Sequence, residues 1–154
     1  MRKLITACAV CAMAVGLVAV PNALGVKSPK QVGGTVTVSA TPTTIESTTT
    51  SVTASGTVAS NSGCKKDRTV HFSYVNGSTA TPLAVTAETK GNGSYTATLP
   101  KPTDAAPASV TVRATVDPLL RKVGSKKKGK KTKKGRAFNC LELTGDSAPL
   151  TISS

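Results

Sequence analysis

From residue 35 onward the chain alternates apolar and polar positions with a period of two. Val36, Val38 and Ala40 alternate with Thr35, Thr37 and Ser39, and Val52, Ala54, Gly56 and Val58 with Thr53, Ser55 and Thr57. Val70, Phe72 and Tyr74 alternate with Thr69, His71 and Ser73. Further sets follow at Leu83, Val85, Ala87, at Tyr95, Ala97, Leu99, and at Val110, Val112, Ala114, Val116. Residues 138–144 and 150–152 complete the series. This pattern, rich in β-branched residues, is that of strands with one buried and one wet face. Turn signals separate the runs: Asn61-Ser62-Gly63, Asn76-Gly77, Gly91-Asn92-Gly93 and the proline-rich 100–107. Asn and Gly supply the positive φ that tight turns need. About seven short strands at this spacing predict an all-β, two-sheet sandwich over residues 34–154, after a short linker at 26–33.

The first 25 residues break the pattern. Arg2 and Lys3 precede an apolar stretch at 4–20, which ends at Pro21-Asn22 and the small-x-small triplet Ala23-Leu24-Gly25. This is the layout of a secretory signal-peptide helix, cleaved after Gly25, with Ala23 as the alternative. A membrane anchor is the competing reading, but the stretch is short against the ~20 residues a span needs. Ile5-Thr6-Ala7-Cys8 resembles a lipobox, yet it would leave almost no apolar region before Cys8. No later segment is apolar enough to span a membrane, and no LPxTG-like sorting signal lies near the C-terminus. The expectation is a freely secreted protein with no stable membrane insertion after cleavage.

Composition modifies this picture in two ways. The chain has no Trp, 2 Phe and 2 Tyr, so its single core is built from Val, Ala, Leu and Ile and is shallow. The net charge is +13; losing Arg2 and Lys3 on cleavage leaves two fewer, +11. Such an excess points to polyanionic partners or solubility and is silent on fold.

Several runs resemble a known pattern. Ser55-Gly56-Thr57-Val58, Arg68-Thr69-Val70-His71-Phe72, the stretch from Gly91 through Tyr95 to Pro100, and Ser109-Val110-Thr111-Val112 are similar to bacterial Ig-like and carboxypeptidase-regulatory-like (transthyretin-like) sandwich domains. The resemblance spans roughly residues 33–117. It implies a Greek-key β-sandwich and an extracellular, non-enzymatic module, and it carries no binding site with it. Some related surface domains hold a Lys–Asn isopeptide bond; Lys27 or Lys30 with Asn139 is a conceivable pair, without a matching motif.

Cys64 and Cys140 survive cleavage, 76 positions apart. In a secreted domain an isolated pair is most simply a disulfide, with a metal pair or free thiols as alternatives. Just before Cys140, within a Lys-rich loop expected at 121–137, come Lys126, Lys127, Lys128, Lys130, Lys131, Lys133, Lys134 and Arg136, with no acidic residue among them. In the Ig arrangement this loop, the loop carrying Lys65, Lys66 and Arg68, and the turn at Lys90 share one end of the sandwich. These twelve cations are the candidate polyanion-binding residues.

Lysine is a hydrated point charge on a flexible stem. A run interrupted by Gly and Thr, without aromatic residues, cannot read bases or stack on rings. It would bind polyanions by counterion release: anionic wall polymer, acidic glycan, lipid head groups or extracellular DNA. The competing reading is a structural or protein-binding envelope module whose lysine loop is only solvated. Other chemistry is not indicated. Residues 124–130 spell G-x-x-x-x-G-K, but Lys131 stands where a P-loop needs Ser or Thr. Asn76-Gly77-Ser78 and Asn92-Gly93-Ser94 match a glycosylation triplet that matters only in a eukaryotic secretory route. His71 has no matched Ser, Cys or Asp motif, and the 7 acidic residues form no carboxylate pair or calcium loop. No enzyme, cofactor, metal or small-molecule substrate is expected.

Overall fold

The computed structural model describes residues 28–102, 109–123, 127–128, 131–132 and 136–153. The signal segment at 1–25 lies outside them. In chain order the strands are β1 (Lys30–Val32), β2 (Thr35–Thr41), β3 (Thr44–Ile45), β4 (Ser51–Ala59), β5 (Thr69–Asn76), β6 (Thr79–Glu88) and β7 (Ser94–Pro100). There follow β8 (Ser109–Val116), β9 (Leu119–Val123), β10 (Lys127–Lys128), β11 (Lys131–Thr132), β12 (Arg136–Cys140), β13 (Leu143–Asp146) and β14 (Leu150–Ile152). The described residues are all-β, in several sheets that do not close.

Two sheets form the body. One is the antiparallel set β2-β4-β7; the other runs β3-β14-β8-β5-β6, with β13 also on β8. The period-two alternation decides which residues meet between them. Val52, Ala54, Val58, Tyr95, Ala97 and Leu99 face inward from the first sheet, and Val70, Phe72, Tyr74, Val110, Val112, Ala114 and Val116 from the second. The Phe72 and Tyr95 rings meet across the core with centroids 6.0 Å apart and planes at 53°, a tilted pairing that aromatic quadrupoles favour. The outward positions of the first sheet are Thr and Ser, as in the cross-strand pair Thr37–Thr57, whose hydroxyls lie 2.9 Å apart.

Small residues make room for the few large ones. Gly56 pairs with Tyr95 in the β4–β7 ladder, and the Tyr95 hydroxyl passes over it to donate to Thr37 O at 2.7 Å. A Cβ at Gly56 would lie 1.9 Å from Thr37 O and 2.5 Å from the Tyr95 oxygen. The β5–β6 turn is Gly77-Ser78, with Gly77 at φ +57°. Glycine first is the requirement of the II′ hairpin turn.

Tyr74 donates to Pro100 O at 2.8 Å. Burial pushes both tyrosines from 10.0 up to about 12. The neutral phenol is the form the fold holds, so its contribution is complete below pH 10 and is lost as pH rises from 10 to 12. We expect alkaline unfolding to steepen across that window. In urea titrations at stepped pH, a Tyr74→Phe/Tyr95→Phe variant should lose less stability between pH 10 and 12 than the parent. An equal loss would mean that other groups govern the transition.

Where about seven strands are expected, the described residues form fourteen strand segments, for four reasons, the first being the two-residue β3, which pairs in parallel with β14. The expected last long strand at 138–144 is two strands, β12 and β13, in different sheets. The expected linker at 26–33 contains β1, which pairs in parallel with β12. Part of the expected loop at 121–137 is also strand: β9 pairs antiparallel with β12, and β10 with β11. Further along, β13 and β14 are two pieces of one edge of β8, joined by Ser147. The Ser147 amide donates to Val112 O at 2.9 Å, and its hydroxyl accepts from Val112 N at 3.0 Å. A side chain thus replaces a ladder carbonyl ahead of Pro149.

A disulfide-anchored basic hairpin as the candidate site

The β8–β13 pair continues past the body of the sheets as the β9–β12 pair, which leads into the lysine run. Between the two pairs, at Asp117-Pro118 and Leu141-Glu142, the ladder is interrupted. Pro118 has no N–H to give, and carbonyls on both chains are left to find other partners. Arg68 supplies them. It is 2% exposed. Its Nε donates to Asp117 O at 3.0 Å and its Nη1 to Cys64 O at 3.3 Å. Its Nη2 donates to the carbonyls of Val116, Asp117 and Leu141. Burial lowers the Arg68 pKa, opposed by the nearby Asp117 carboxylate, yet a guanidinium stays charged at any ordinary pH. Arg68 is therefore corrected from a surface cation to a buried clamp. A planar five-donor fork suits this duty better than a point charge.

Two more connections hold the hairpin. Cys64 and Cys140 are disulfide-bonded, both fully buried, with Cα atoms 5.5 Å apart. Arg121, in β9, reaches the loop before β5: Nη1 donates to Gly63 O and Lys66 O, each at 3.2 Å, and Nη2 to the Asp67 carboxylate. Asp67 sits at φ +53°, a conformation Asp tolerates better than most residues. The Arg121 hydrogen bond holds its carboxyl below the usual range, helped by Lys66 and opposed by partial burial. His71 Nε2 lies 2.9 Å from Asp117 Oδ2 on the exposed side of the bend. His71 thus lies on the wet face of β5, an inner strand of its sheet.

The turn at 89–93 joins the same end. Asp67 N donates to Thr89 O at 2.9 Å, Thr89 N to Arg68 O at 3.0 Å, and Arg68 N to the Thr89 hydroxyl at 2.9 Å. Lys65, Lys66 and Lys90 are therefore brought to the end from which the hairpin projects. Lys66 is 3.6 Å from Asp67, and Lys90 is exposed. Within the run, Lys127 and Lys128 pair through the backbone with Thr132 and Lys131, and Arg136 with Val123. Lys126, Lys130, Lys133 and Lys134 lie outside the described residues. The Asn139 side-chain amide donates to Gln31 Oε1 at 3.0 Å, and Lys27, one of the two conceivable isopeptide partners, lies outside the described residues.

Sequence reasoning passed over Arg121 and Lys122. The only signal for them is their position two and one residues before Val123, at the mirror distance from Arg136 that a hairpin requires. Among the described residues no group of three or more His, Cys, Asp or Glu side chains could hold a metal ion, and no helix is long and apolar enough to cross a membrane. Comparison with protein-family models, with curated proteins and with solved structures gives no match.

Proposed function

We propose that this chain is an exported, non-catalytic, Ig-like sandwich module that adheres to polyanionic surfaces through its basic end. One observation carries the reading: three chain segments with basic residues meet at one end, and a disulfide and two arginines fasten them there. Arg68 and Arg121 do the fastening, which leaves the lysines, with Arg136, as the contact residues. Lysine favours charge over shape, so the partner is defined by charge density. The order β6-β5-β8-β13 facing β2-β4-β7 supports the Ig-like assignment, with the hairpin in the place of the last inter-strand loop.

A salt series tests it. With about six charges engaged, affinity for a soluble polyanion should fall with a log–log slope of about −5. Replacing the eight basic residues of 126–136 by Ser and Gly should abolish binding and leave the thermal midpoint within a few degrees. Binding that survives the replacement sinks the proposal and leaves the solvated-loop reading.

A further inference from the structure

The sequence Asn-Gly-Ser occurs twice, at 76–78 and at 92–94. Asn followed by Gly is open to a reaction of the chain with itself. The nitrogen of the second residue can reach the asparagine Cγ, and glycine has no Cβ to stand in its way. The triplets are identical, so a difference in reactivity between them is made by the fold. The second triplet is locked. Asn92 Oδ1 accepts from Ser94 N at 3.0 Å and from the Ser94 hydroxyl at 2.8 Å. The Gly93 N–H, which would have to attack, donates to Lys90 O at 2.8 Å, and Gly93 O accepts from Val58 N at 2.9 Å. A Cβ at Gly93 would collide with Val58 O and press on Lys65, so the backbone there has no room to turn. Reaction at Asn92 requires the turn to open and to leave β4.

The first triplet has none of these restraints. Asn76, Gly77 and Ser78 are all exposed. Apart from its chain neighbours, no atom lies within 4 Å of the place a Cβ would take at Gly77. Among the described residues neither the Asn76 side chain nor the Gly77 N–H has a hydrogen-bond partner. The triplet sits at the tip of the β5–β6 hairpin, after the terminal pair Asn76–Thr79, and β6 is the end strand of its sheet. The register shift between His71 and Ser73 interrupts the same hairpin further back. A terminal pair in such a place frays at little cost.

We propose that Asn76 is a site of spontaneous deamidation in the folded protein, yielding aspartate and isoaspartate, and that Asn92 is protected. The Gly77 N–H gives its proton to a base from solvent, and the nitrogen attacks Asn76 Cγ. A C–N bond forms there, the side-chain amide nitrogen takes a proton from water and leaves as ammonia, and a cyclic imide joins residues 76 and 77. Water then adds to one of the two imide carbonyls, and the C–N bond at that carbonyl breaks. Attack at the side-chain carbonyl gives aspartate, and attack at the main-chain carbonyl gives isoaspartate. One water enters and one ammonia leaves, with nothing oxidised or reduced. Either product puts a carboxylate where a neutral amide stood. Isoaspartate also adds a carbon to the main chain, which the two-residue turn Gly77-Ser78 cannot take up while Asn76 stays paired with Thr79. β5 runs from Thr69, next to Arg68, to Asn76. The new charge therefore arises at the end of the sheet away from the basic hairpin, and the proposal is independent of the polyanion reading.

Both sites are read in one experiment. Trypsin cuts after Arg68, Lys90 and Arg113, while Pro102 shields Lys101, so Asn76 falls in the peptide 69–90 and Asn92 in 91–113. The folded protein is held at mildly alkaline pH, and the mass gain of each peptide on deamidation is followed over time. Asn76 should convert at least about tenfold faster than Asn92, the opening of a locked turn being the added barrier. In guanidinium chloride sufficient to unfold the chain, the two rates should come within about twofold of each other, because the fold no longer separates them. Methyl transfer by an isoaspartate-specific methyltransferase should label 69–90, a peptide that contains no aspartate of its own. Equal rates in the folded protein, faster conversion at Asn92, or conversion at neither site while both react in the unfolded chain each overturn the proposal. Deamidation of 69–90 without methyl label overturns the isoaspartate product.

Discussion

Arg68→Met should lower stability by about 3–5 kcal/mol, the cost of stranding several backbone carbonyls at about 1–3 kcal/mol each, less what relaxation recovers. With m-values of about 1–3 kcal/mol per M, the urea midpoint falls by roughly 1–5 M. Methionine fills much of the space, so packing is not the main loss. The loss lies in the carbonyls of Cys64, Val116, Asp117 and Leu141, which the guanidinium serves from a residue that is itself 2% exposed. Stranding a buried acceptor costs about 1–3 kcal/mol apiece before relaxation. Arg68→Lys should recover little, since one ammonium with three donors cannot span both chains of the hairpin. The m-value should stay as in the parent, because the change acts on the native state. A midpoint within about 0.3 M of the parent would show that the bend satisfies itself without Arg68.

Removing the disulfide should cost a similar amount by a different route. For a pair 76 residues apart, loop-closure entropy predicts about 4–5 kcal/mol, a value that depends on that account of disulfides. Cys64→Ala/Cys140→Ala releases the unfolded chain from a large loop. The unfolded state expands and exposes more surface, so the m-value should rise as the midpoint falls. The two changes are thus separable in one urea series: Arg68→Met moves the midpoint alone, the cysteine pair moves midpoint and slope. Arg68 Nη1 donates to Cys64 O, so the combined variant should deviate from additivity, as contacting sites do. Non-reducing mass spectrometry of the parent should recover the Cys64 and Cys140 peptides linked; free thiols would remove the basis of the expected slope change.

Legibility in the sequence varied with how local the cause was. Strands β2, β4, β5, β7 and β8 could be read because each carries its own alternation, which follows from the pleat. The split at Ser147 had a local trace too, in Pro149, which cannot donate to a ladder. Strand β9 gave no such trace. Leu119-Leu120-Arg121-Lys122-Val123 does not alternate cleanly, since one face is covered by a loop and the other is bare. Strand β1 depends wholly on β12, 108 residues away at the Gln31–Asn139 contact. Arg68 misled for the same reason. It closes the cluster Lys65-Lys66-Asp67-Arg68 and reads as one more surface charge. Its burial is decided by carbonyls 49 and 73 residues further on, at a bend that exists only in three dimensions. The charge of the site could therefore be read from the chain, while the division of its cations between fastening and contact could not.

The position of the disulfide also governs how the domain responds to tension. If the chain is drawn from both ends, before Lys30 and beyond Ser153, the force follows the covalent path of least length. That path leaves the backbone at Cys64 and rejoins it at Cys140. Residues 65–139, which include β5, β6, β7 and β8, then lie off the line of load and cannot be drawn out. Only the flanking stretches can extend, and β14 must slide along β3 and β8, to which it is hydrogen-bonded on both sides. The lysine hairpin belongs to the segment that carries no load, so the disulfide keeps its strands from being drawn out while the flanking stretches extend.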